Sequence, residues 1–418
     1  MSSARTQATK VIFVMAQRDL DAPLSSRDGW RGRLDELASR AERGIGGVQV
    51  AVRQFHEALE RVGTEVSVVT PFDGWFGPPL AASALAKVLT RMNPAWGLRW
   101  HRWWRRTLAS RNARRHVTDA PGVVWFPQDP GSAEVALRHR RPDQRIVALC
   151  HYGEGSEGAE MVLRGVLPEG HPLVEATLRR ERATLSLVDG LLFVSDIARR
   201  ATTTALGGNV DVPTAVVPNI VDDGIFRPDL LPAPSADLVS VGVLNPLKRH
   251  HLLVEAVAEM MRSGRSVTLT LVGGGPSRGD LEELAASLGV SHLVHLVGQV
   301  DSVPDVLIAH RCYVHSSSAE TFGISVAEAM AVGLPVAVVP VGGLAEVVRD
   351  GVDGIHLDAD PAVMAAQILA LLDAPERMTA MGAAGRARVD ACYRADVVGP
   401  QLLSVLSGHE SLVGGMVA

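Results

Sequence analysis

The sequence predicts an α/β protein with two domains, each built on a parallel sheet that helices cover. Short apolar runs of strand type alternate with helical patterns along most of the 418 residues, which is typical of parallel strands joined by crossover helices. The proline-dense segment FRPDLLPAPSADL interrupts the series, which then starts again. The chain is also too long for one ordinary core. Two Rossmann-like domains account for these three observations.

The first domain is predicted over residues 1–227. Its first strand is VIFVM, and the segment GIGGVQVAVRQFHEAL takes up helical periodicity from Val48. Further runs of strand type follow at 66–69, 123–126, 146–149, 191–194 and 215–217. Several of these runs end in polar residues, one of which is His151. Ligands of open α/β sheets bind beyond the carboxyl ends of strands, so these ends are candidate binding positions.

The second domain is predicted over residues 236–392. Its runs of strand type lie at 238–243, 267–272, 294–297, 312–315 and 336–339. Helical patterns such as HHLLVEAVAEMM and DLEELAASLG join them. Residues 393–418 are predicted to form a C-terminal helix that can pack back on the first domain.

Composition argues against several other classes of protein. No apolar stretch is long enough to span a membrane, because glycines and prolines interrupt the best candidate, residues 329–345. The N-terminus lacks the features of a secretory signal, so a cytoplasmic location is expected. The three cysteines are widely separated and have no partner at metal-binding spacing, so neither a disulfide framework nor a metal site is predicted.

Residues 91–115 differ from the rest of the chain in charge. They contain eight arginines, four tryptophans and no acid, although the whole chain has a net charge of −5. A solvated helix that packs its tryptophans on the first domain is the favoured interpretation. Peripheral contact with an anionic membrane is a second interpretation, and it leaves membrane association open. Nucleic acid is the least favoured partner, and none is predicted.

Two glutamates mark the segment with the clearest chemistry, SSSAETFGISVAEAMAVGLPVAV. Glu320 is predicted to lie in a loop just before a helix, whose first amides and positive dipole end would suit a phosphate. Gly323 would let the backbone approach closely. Glu328 falls within the helix among apolar neighbours and therefore needs a partner. Sugar hydroxyls and a neighbouring arginine are both candidates for that partner.

Lysine is rare in this chain, which has only Lys10, Lys87 and Lys248 among its 41 basic residues. Arginine serves almost wherever a surface cation is needed. A lysine within the body of a domain, such as Lys248 in VGVLNPLKRH, therefore suggests a specific role.

From about residue 238 to residue 357, the chain resembles the donor-binding domain of family 4 retaining glycosyltransferases, which have the GT-B fold. The signature of that family is two glutamates separated by seven residues, here Glu320 and Glu328. The segments VPNIVDDGIFRP, LVGGGP and VGGLAEVVRDGVDG occur in the order expected for the family. The resemblance implies a donor cleft between two Rossmann-like domains. It also implies that a sugar is transferred, without a metal ion, from a nucleoside-diphosphate donor to an acceptor. The nucleotide can be UDP or GDP, and the acceptor can be a small molecule, a saccharide or a lipid.

The resemblance assigns roles to individual residues. Glu328 would bind the ribose hydroxyls, and Lys248 would neutralise the donor phosphate. Glu320 would contact the donor sugar and diphosphate together with the backbone of four following residues, Thr321, Phe322, Gly323 and Ile324. The family usually has an arginine where this chain has Val243, and Arg249 is the candidate replacement.

Weaker similarities extend the resemblance to the first domain. Gly46 and Gly47 match a glycine loop near the diphosphate or acceptor, and His151 matches a histidine beside the sugar ring. His151, Glu320 and Lys248 are therefore the candidate catalytic residues. No cofactor is implied beyond the nucleotide sugar as co-substrate. A nucleotide-sugar epimerase of similar fold and a non-catalytic relative of the family stay open as alternatives.

Overall fold

The computed structural model describes residues 10–15, 47–71, 77–152, 155–163, 166–208, 211–227 and 235–408. Contacts within the chain divide it into two compact units. Of the described residues, the first unit contains 10–15, 56–217 and 399–408, and the second contains 47–55 and 218–398. The domain boundaries suggested by the sequence, after 227 and after 392, stay a prediction.

Six strands form the sheet of the first unit: β1 Lys10–Val14, β2 Glu65–Val69, β3 Val123–Pro127, β4 Arg145–Cys150, β5 Gly190–Phe193 and β6 Thr214–Val216. Their order is β2-β1-β3-β4-β5-β6, and each neighbouring pair is parallel. The helices of this part of the chain are α1 Gly47–Arg61, α2 Gly77–Met92, α3 Pro94–Ala113, α4 Pro130–His139, α5 Glu157–Leu163, α6 Pro172–Leu185 and α7 Asp196–Ala205.

A second parallel sheet contains β7 Ala236–Val241, β8 Leu269–Val272, β9 Val294–Gly298, β10 His310–His315, β11 Val336–Val338 and β12 Gly354–His356. The helices that follow β7 are α8 His250–Arg262, α9 Arg278–Ser287, α10 Val303–Ile308, α11 Ile324–Ala331, α12 Leu344–Val347, α13 Pro361–Leu372, α14 Pro375–Cys392 and α15 Ala395–Ser407. The alternation of strands and helices predicted from the sequence is confirmed.

The strand order of the second sheet creates a ligand-binding position. The order is β12-β11-β10-β7-β8-β9, so the chain proceeds from β7 to one side and then crosses back to add β10 on the other. The loops after β7 and β10 therefore leave the sheet side by side and turn in opposite directions. Open α/β sheets bind their ligands at such a crevice.

Helix α3 shows how the acid-free segment 91–115 packs. It begins at Pro94, after Asn93 caps its first amides, while residues 91 and 92 end α2. Trp104 is buried, and Nε of Arg102 donates to Glu157 of α5 at 2.8 Å. Arg106 pairs with an acid of α4 in the same way. Other helices thus supply the acids that this segment lacks. None of the helices in the described ranges combines the length and the apolar character needed to cross a membrane.

Candidate active site

Lys248 and Glu320 form an ion pair at the carboxyl ends of β7 and β10. Lys248 ends a short 3-10 turn, and the side chain of Asn245 caps this turn by accepting the amide of Lys248 at 3.1 Å. Glu320 lies in the loop between β10 and α11. The two side chains are 23% and 13% exposed, so solvent screens their attraction only in part.

Hydrogen bonds hold the two loops together independently of this ion pair. The hydroxyl of Ser316 donates to the carbonyls of Lys248 at 2.9 Å and of Arg249 at 3.0 Å. The amide of Ser318 donates to the carbonyl of Leu247 at 2.7 Å. The positions of Lys248 and Glu320 are therefore fixed by backbone contacts, as a pre-organised site requires.

Three donors converge on one carboxylate oxygen of Glu320. Lys248 Nζ, His315 Nε2 at 3.0 Å and Ser317 Oγ at 3.3 Å all contact Oε1. No donor within the described ranges bonds to Oε2. Burial alone would raise the pKa of Glu320, but the Lys248 ammonium and the His315 hydrogen bond hold that pKa well below its usual range. Glu320 is thus a fixed carboxylate with one oxygen available.

The N-terminus of α11 presents backbone donors beside Glu320. Gly323 caps the helix with a φ of 91°, and its carbonyl accepts the amides of residues 326 and 327. The amides of residues 322–325 donate to no residue that the structure describes. With the positive end of the helix dipole, these amides make a site suited to an anion.

Gly342 supports the turn that carries Glu320. Its φ is 53°, and a Cβ at this position would lie 1.9 Å from the carbonyl oxygen of Glu320. The next residue, Gly343, donates its amide to that same oxygen at 2.9 Å. Any side chain at residue 342 would therefore displace the catalytic candidate.

Glu328 lies in α11 with no counter-ion among the described residues. Its side chain makes no hydrogen bond or ion pair with any residue in the described ranges, so the arginine partner that the sequence left open is absent from them. Desolvation, followed by the negative charge of Asp222, raises the pKa of Glu328 to about 8. Such a carboxyl group is suited to accept hydrogen bonds from a ligand that brings its own donors.

Arg249 uses much of its guanidinium within the protein. Its φ of 47° is the only positive value of a non-glycine residue in the described ranges. Nε donates to the carbonyl of Ser316 at 2.9 Å and Nη2 to that of Ser317 at 2.8 Å. These bonds hold the end of β10 in place. The sequence-based role of Arg249 as a second phosphate cation stays a prediction.

Comparisons with known proteins place the chain in a family. Residues 45–224 match the sequence profile described as Glycosyltransferase Family 4, and residues 223–388 match Glycosyl transferases group 1. A GDP-mannose-dependent alpha-(1-6)-phosphatidylinositol monomannoside mannosyltransferase of Mycobacterium tuberculosis is 30% identical over 314 residues, which are 69% of this chain and 76% of the relative. The chain belongs to glycosyltransferase family 4. This membership confirms the resemblance inferred from the two glutamates.

Other relatives match over a shorter stretch. The D-inositol 3-phosphate glycosyltransferase of Segniliparus rotundus is 38% identical over 186 residues, which are 41% of each chain. That of Thermobispora bispora is 36% identical over 165 residues, 37% of this chain and 39% of the relative. The matched part therefore spans only about two fifths of these relatives.

Solved structures confirm the two-domain GT-B fold. Sucrose-phosphate synthase from Thermosynechococcus elongatus has a TM-score of 0.71 at 20% identity and covers 96% of this chain and 99% of its own. Anabaena HepE, solved in complex with UDP and glucose, has a TM-score of 0.61 at 20% identity over the same shares. At this level of identity the similarity concerns the fold alone.

Three family residues were predicted in the first half of the chain, His151, Gly46 and Gly47. His151 follows β4, is 6% exposed and lies 3.2 Å from Oε1 of Gln128 through its Nε2. It belongs to the first unit, whereas Lys248 and Glu320 belong to the second. Gly47 begins α1, and Gly46 lies outside the described residues. The predicted roles of these residues in family 4 chemistry stay predictions.

Two further predicted residues follow Glu320 directly. Phe322 is buried with its ring against Tyr393, at 5.1 Å between centroids, so its side chain serves the core and only its backbone can meet a ligand. Thr321 is half-buried. Within the described ranges, no group of three or more potential metal ligands occurs. Metal-independent transfer stays a prediction.

Sequence reasoning missed three residues of this site. His315 and Ser317 contact Glu320, and Asp222 acts on the pKa of Glu328. A signal for His315 was present, because it is the polar residue that directly follows the apolar run 312–314, much as His151 directly follows the apolar run 146–150. Asp222 lies in the segment VPNIVDDGIFRP, but no pattern connected it with Glu328, which is far from it in sequence.

Proposed function

We propose that this member of family 4 is an active, retaining glycosyltransferase that uses a nucleoside-diphosphate sugar. The observation that carries the proposal is the cluster of Lys248, Glu320 and the α11 amides at the carboxyl ends of β7 and β10. In this proposal Lys248 and the amides of residues 322–324 bind the diphosphate. The free Oε2 of Glu320 accepts hydrogen bonds from the donor sugar, and Glu328 accepts them from the ribose.

The transfer step proceeds without a protein nucleophile. The bond from the anomeric carbon to the diphosphate oxygen breaks, while a bond from the acceptor oxygen to that carbon forms on the same face of the sugar. The acceptor proton passes to an oxygen of the leaving diphosphate. Lys248 and the helix N-terminus stabilise the negative charge that develops on this leaving group. His151 would lie beside the sugar ring and Gly46 and Gly47 near the diphosphate or acceptor.

The acceptor is proposed to be an inositol-type polyol, free or lipid-linked. Two kinds of relative support this choice by name, the D-inositol 3-phosphate glycosyltransferases and the phosphatidylinositol monomannoside mannosyltransferase. The second relative is GDP-mannose-dependent by name, which makes GDP-mannose the first donor to test beside UDP-sugars.

Turnover with defined substrates tests the proposal. The protein is incubated with GDP-mannose or a UDP-sugar, with and without inositol phosphates or phosphatidylinositol, and products are identified by mass spectrometry and NMR. A new glycoside that keeps the anomeric configuration of the donor is the expected result. Isomerisation of the donor without acceptor would favour an epimerase. Saturable binding of the nucleotide without turnover on any acceptor would favour a non-catalytic relative.

The proposed role of Glu328 predicts a dependence of affinity on pH. Ribose hydroxyls bind best to the ionised carboxylate, but its pKa of about 8 means that it is mostly protonated at pH 7. Affinity for the nucleoside diphosphate should therefore rise roughly fivefold from pH 7 to pH 8, and binding at pH 7 should release a proton. Calorimetry in two buffers of different ionisation enthalpy measures both effects.

Glu328→Gln is the matched control for this pH effect. The variant keeps the shape of the side chain but has no ionisable group, so both the rise in affinity and the proton release should disappear. Its affinity at pH 8 should be lower than that of the wild type by about 1 to 3 kcal/mol. The ribose assignment is wrong if the folded variant binds with the same affinity and the same pH dependence as the wild type.

We also propose peripheral contact with an anionic membrane through α2 and α3. Each helix has a stripe of exposed apolar side chains at helical spacing: Leu85, Val88 and Met92 on α2, and Trp96 and Trp103 on α3. The two tryptophans are 53% and 55% exposed, although burying them would be favourable. Arg99 lies between them on the same stripe and is exposed. Exposed tryptophan beside arginine suits the headgroup region of an anionic bilayer.

Sedimentation with lipid vesicles tests this contact. The protein should bind vesicles of phosphatidylglycerol at low salt, bind those of phosphatidylcholine less, and be released at high salt, because the charge attraction is screened. A double variant in which Trp96 and Trp103 are both replaced by Ala should not bind the vesicles. Leu187→Ala removes an exposed apolar side chain outside α2 and α3 and should have no effect. If the double tryptophan variant and Leu187→Ala bind the vesicles equally well, the proposed membrane contact of α2 and α3 is wrong.

A further inference from the structure

His315 is a buried histidine that the proposed chemistry does not yet use. It ends β10, and its side chain is 2% exposed. Nε2 lies 3.0 Å from Oε1 of Glu320. On the opposite side of the ring, Nδ1 lies 3.5 Å from the hydroxyl of Tyr313, which lies 2.8 Å from Oγ of Ser325 in the first turn of α11. The ring therefore connects Glu320 to the strand and helix that build the site.

The protonation state of the pair follows from its surroundings. Glu320 is ionised and can only accept hydrogen bonds, so Nε2 of His315 carries the hydrogen and Nδ1 is an acceptor. Burial lowers the pKa of His315, although the hydrogen bond to Glu320 acts in the opposite direction. The imidazole is therefore neutral, and Lys248 supplies the positive charge next to the carboxylate.

Lys248 alone would not fix the plane of the Glu320 carboxylate. An ammonium on a flexible stem can follow the carboxylate as it rotates, and the terminal torsion of a glutamate is broad. A planar ring held at the end of a strand offers one hydrogen in one direction. With Lys248, His315 and Ser317 all on Oε1, the carboxylate has a single favoured orientation.

We propose that His315 is a positioning residue that donates from Nε2 to Oε1 of Glu320 and so keeps Oε2 available to the donor sugar. This inference rests on the proposed glycosyl transfer and extends it to a residue outside the two-glutamate signature. Loss of the hydrogen bond should affect the reacting sugar and not the nucleotide, because no hydrogen bond joins His315 to Lys248 or Glu328 within the described ranges.

Two variants of His315 and one matched control test the inference. His315→Leu removes the donor and should lower kcat by about tenfold or more, with the dissociation constant of the nucleoside diphosphate nearly unchanged. His315→Gln restores an N–H donor and should recover most of the turnover. His310 is also buried, begins the same strand and bonds to Thr270 and to the carbonyl of Val306. His310→Leu should lower the melting temperature but not kcat per folded molecule.

Three outcomes would overturn the inference: turnover of His315→Leu close to that of the wild type, equal losses in the Leu and Gln variants, or an equal loss in His310→Leu. Nitrogen-15 NMR of the histidine rings gives a measurement that needs no turnover. The wild type should show His315 protonated at Nε2, and Glu320→Ala should remove that preference. If no substrate pair is turned over, the glycosyl-transfer proposal fails, while the NMR result still decides whether His315 holds Glu320.

Discussion

Glu320→Gln should lower turnover about 10²-fold to 10³-fold while leaving the affinity for the nucleoside diphosphate almost unchanged. The variant keeps the length and shape of the side chain but loses the negative charge that Lys248, His315 and Ser317 hold in place. In the proposed role this charge acts on the donor sugar, where positive charge develops as the bond to the diphosphate breaks. An interaction that strengthens only in the transition state lowers kcat when it is lost.

Steady-state kinetics and calorimetry on the same preparations measure the two effects. Glu282→Gln is a suitable control, because Glu282 is 51% exposed and pairs with Arg278 on the surface of the same unit. That variant should keep both kcat and affinity. A Glu320→Gln enzyme that loses nucleotide affinity to the same extent as turnover would contradict the assignment of Glu320 to the sugar.

The fold could be predicted from the sequence because strands that are covered on both faces have nearly continuous apolar sequences. β8 and β11, for example, are buried along their whole length and lie within the predicted runs 267–272 and 336–339. β12 was missed, since its three residues, Gly354–His356, are too few for a periodic pattern. The predicted strand at 238–243 ends two residues earlier, at Val241, where the chain turns toward Lys248.

The site could be predicted from the sequence only where its residues lie within one short segment. Glu320, Gly323 and Glu328 lie within nine residues, so their spacing can be read directly. The ion pair between Lys248 and Glu320 joins residues 72 positions apart, and the sequence predicted a phosphate partner for the lysine instead. Contacts of this kind depend on which strands are neighbours in the sheet, here β7 and β10. Local periodicity in the sequence does not indicate strand order, so such contacts could not be predicted.

The pairing of Lys248 with Glu320 does not exclude phosphate as its ligand. An ammonium has three donors, and the ion pair uses one of them. If Lys248 also binds the diphosphate, Lys248→Ala removes a charge-assisted hydrogen bond and should lower turnover more than about tenfold. Lys248→Arg should rescue only part of this loss, because a planar guanidinium does not replace a compact ammonium at one oxygen. Nucleotide affinity should fall as well, in contrast to Glu320→Gln.

Lys248→Ala should also destabilise the protein, and this effect has to be distinguished from the direct effect on turnover. Without Lys248, the carboxylate of Glu320 stays mostly buried and lacks its cation, which should lower the free energy of unfolding by roughly 1 to 3 kcal/mol. Combining Lys248→Met with Glu320→Gln removes both charges and should recover that stability without recovering turnover. Lys10 offers a control, because it also pairs with a glutamate, Glu65, but lies in the other unit. Lys10→Ala should leave turnover intact.

Val243→Arg tests the requirement for positive charge at the diphosphate by adding a cation instead of removing one. Val243 occupies the position of the usual family arginine and is only partly buried, in the loop between β7 and Lys248. An arginine there should tighten nucleoside diphosphate binding, provided that Arg249, whose Nε and Nη2 already bond to carbonyls, does not supply this charge itself. Tighter binding by Val243→Arg in the Lys248→Ala background would show that a cation near the β7 loop is what the diphosphate requires. If Lys248→Ala leaves both affinity and turnover intact, the diphosphate does not bind at the ends of β7 and β10, and the donor site must be sought elsewhere in the chain.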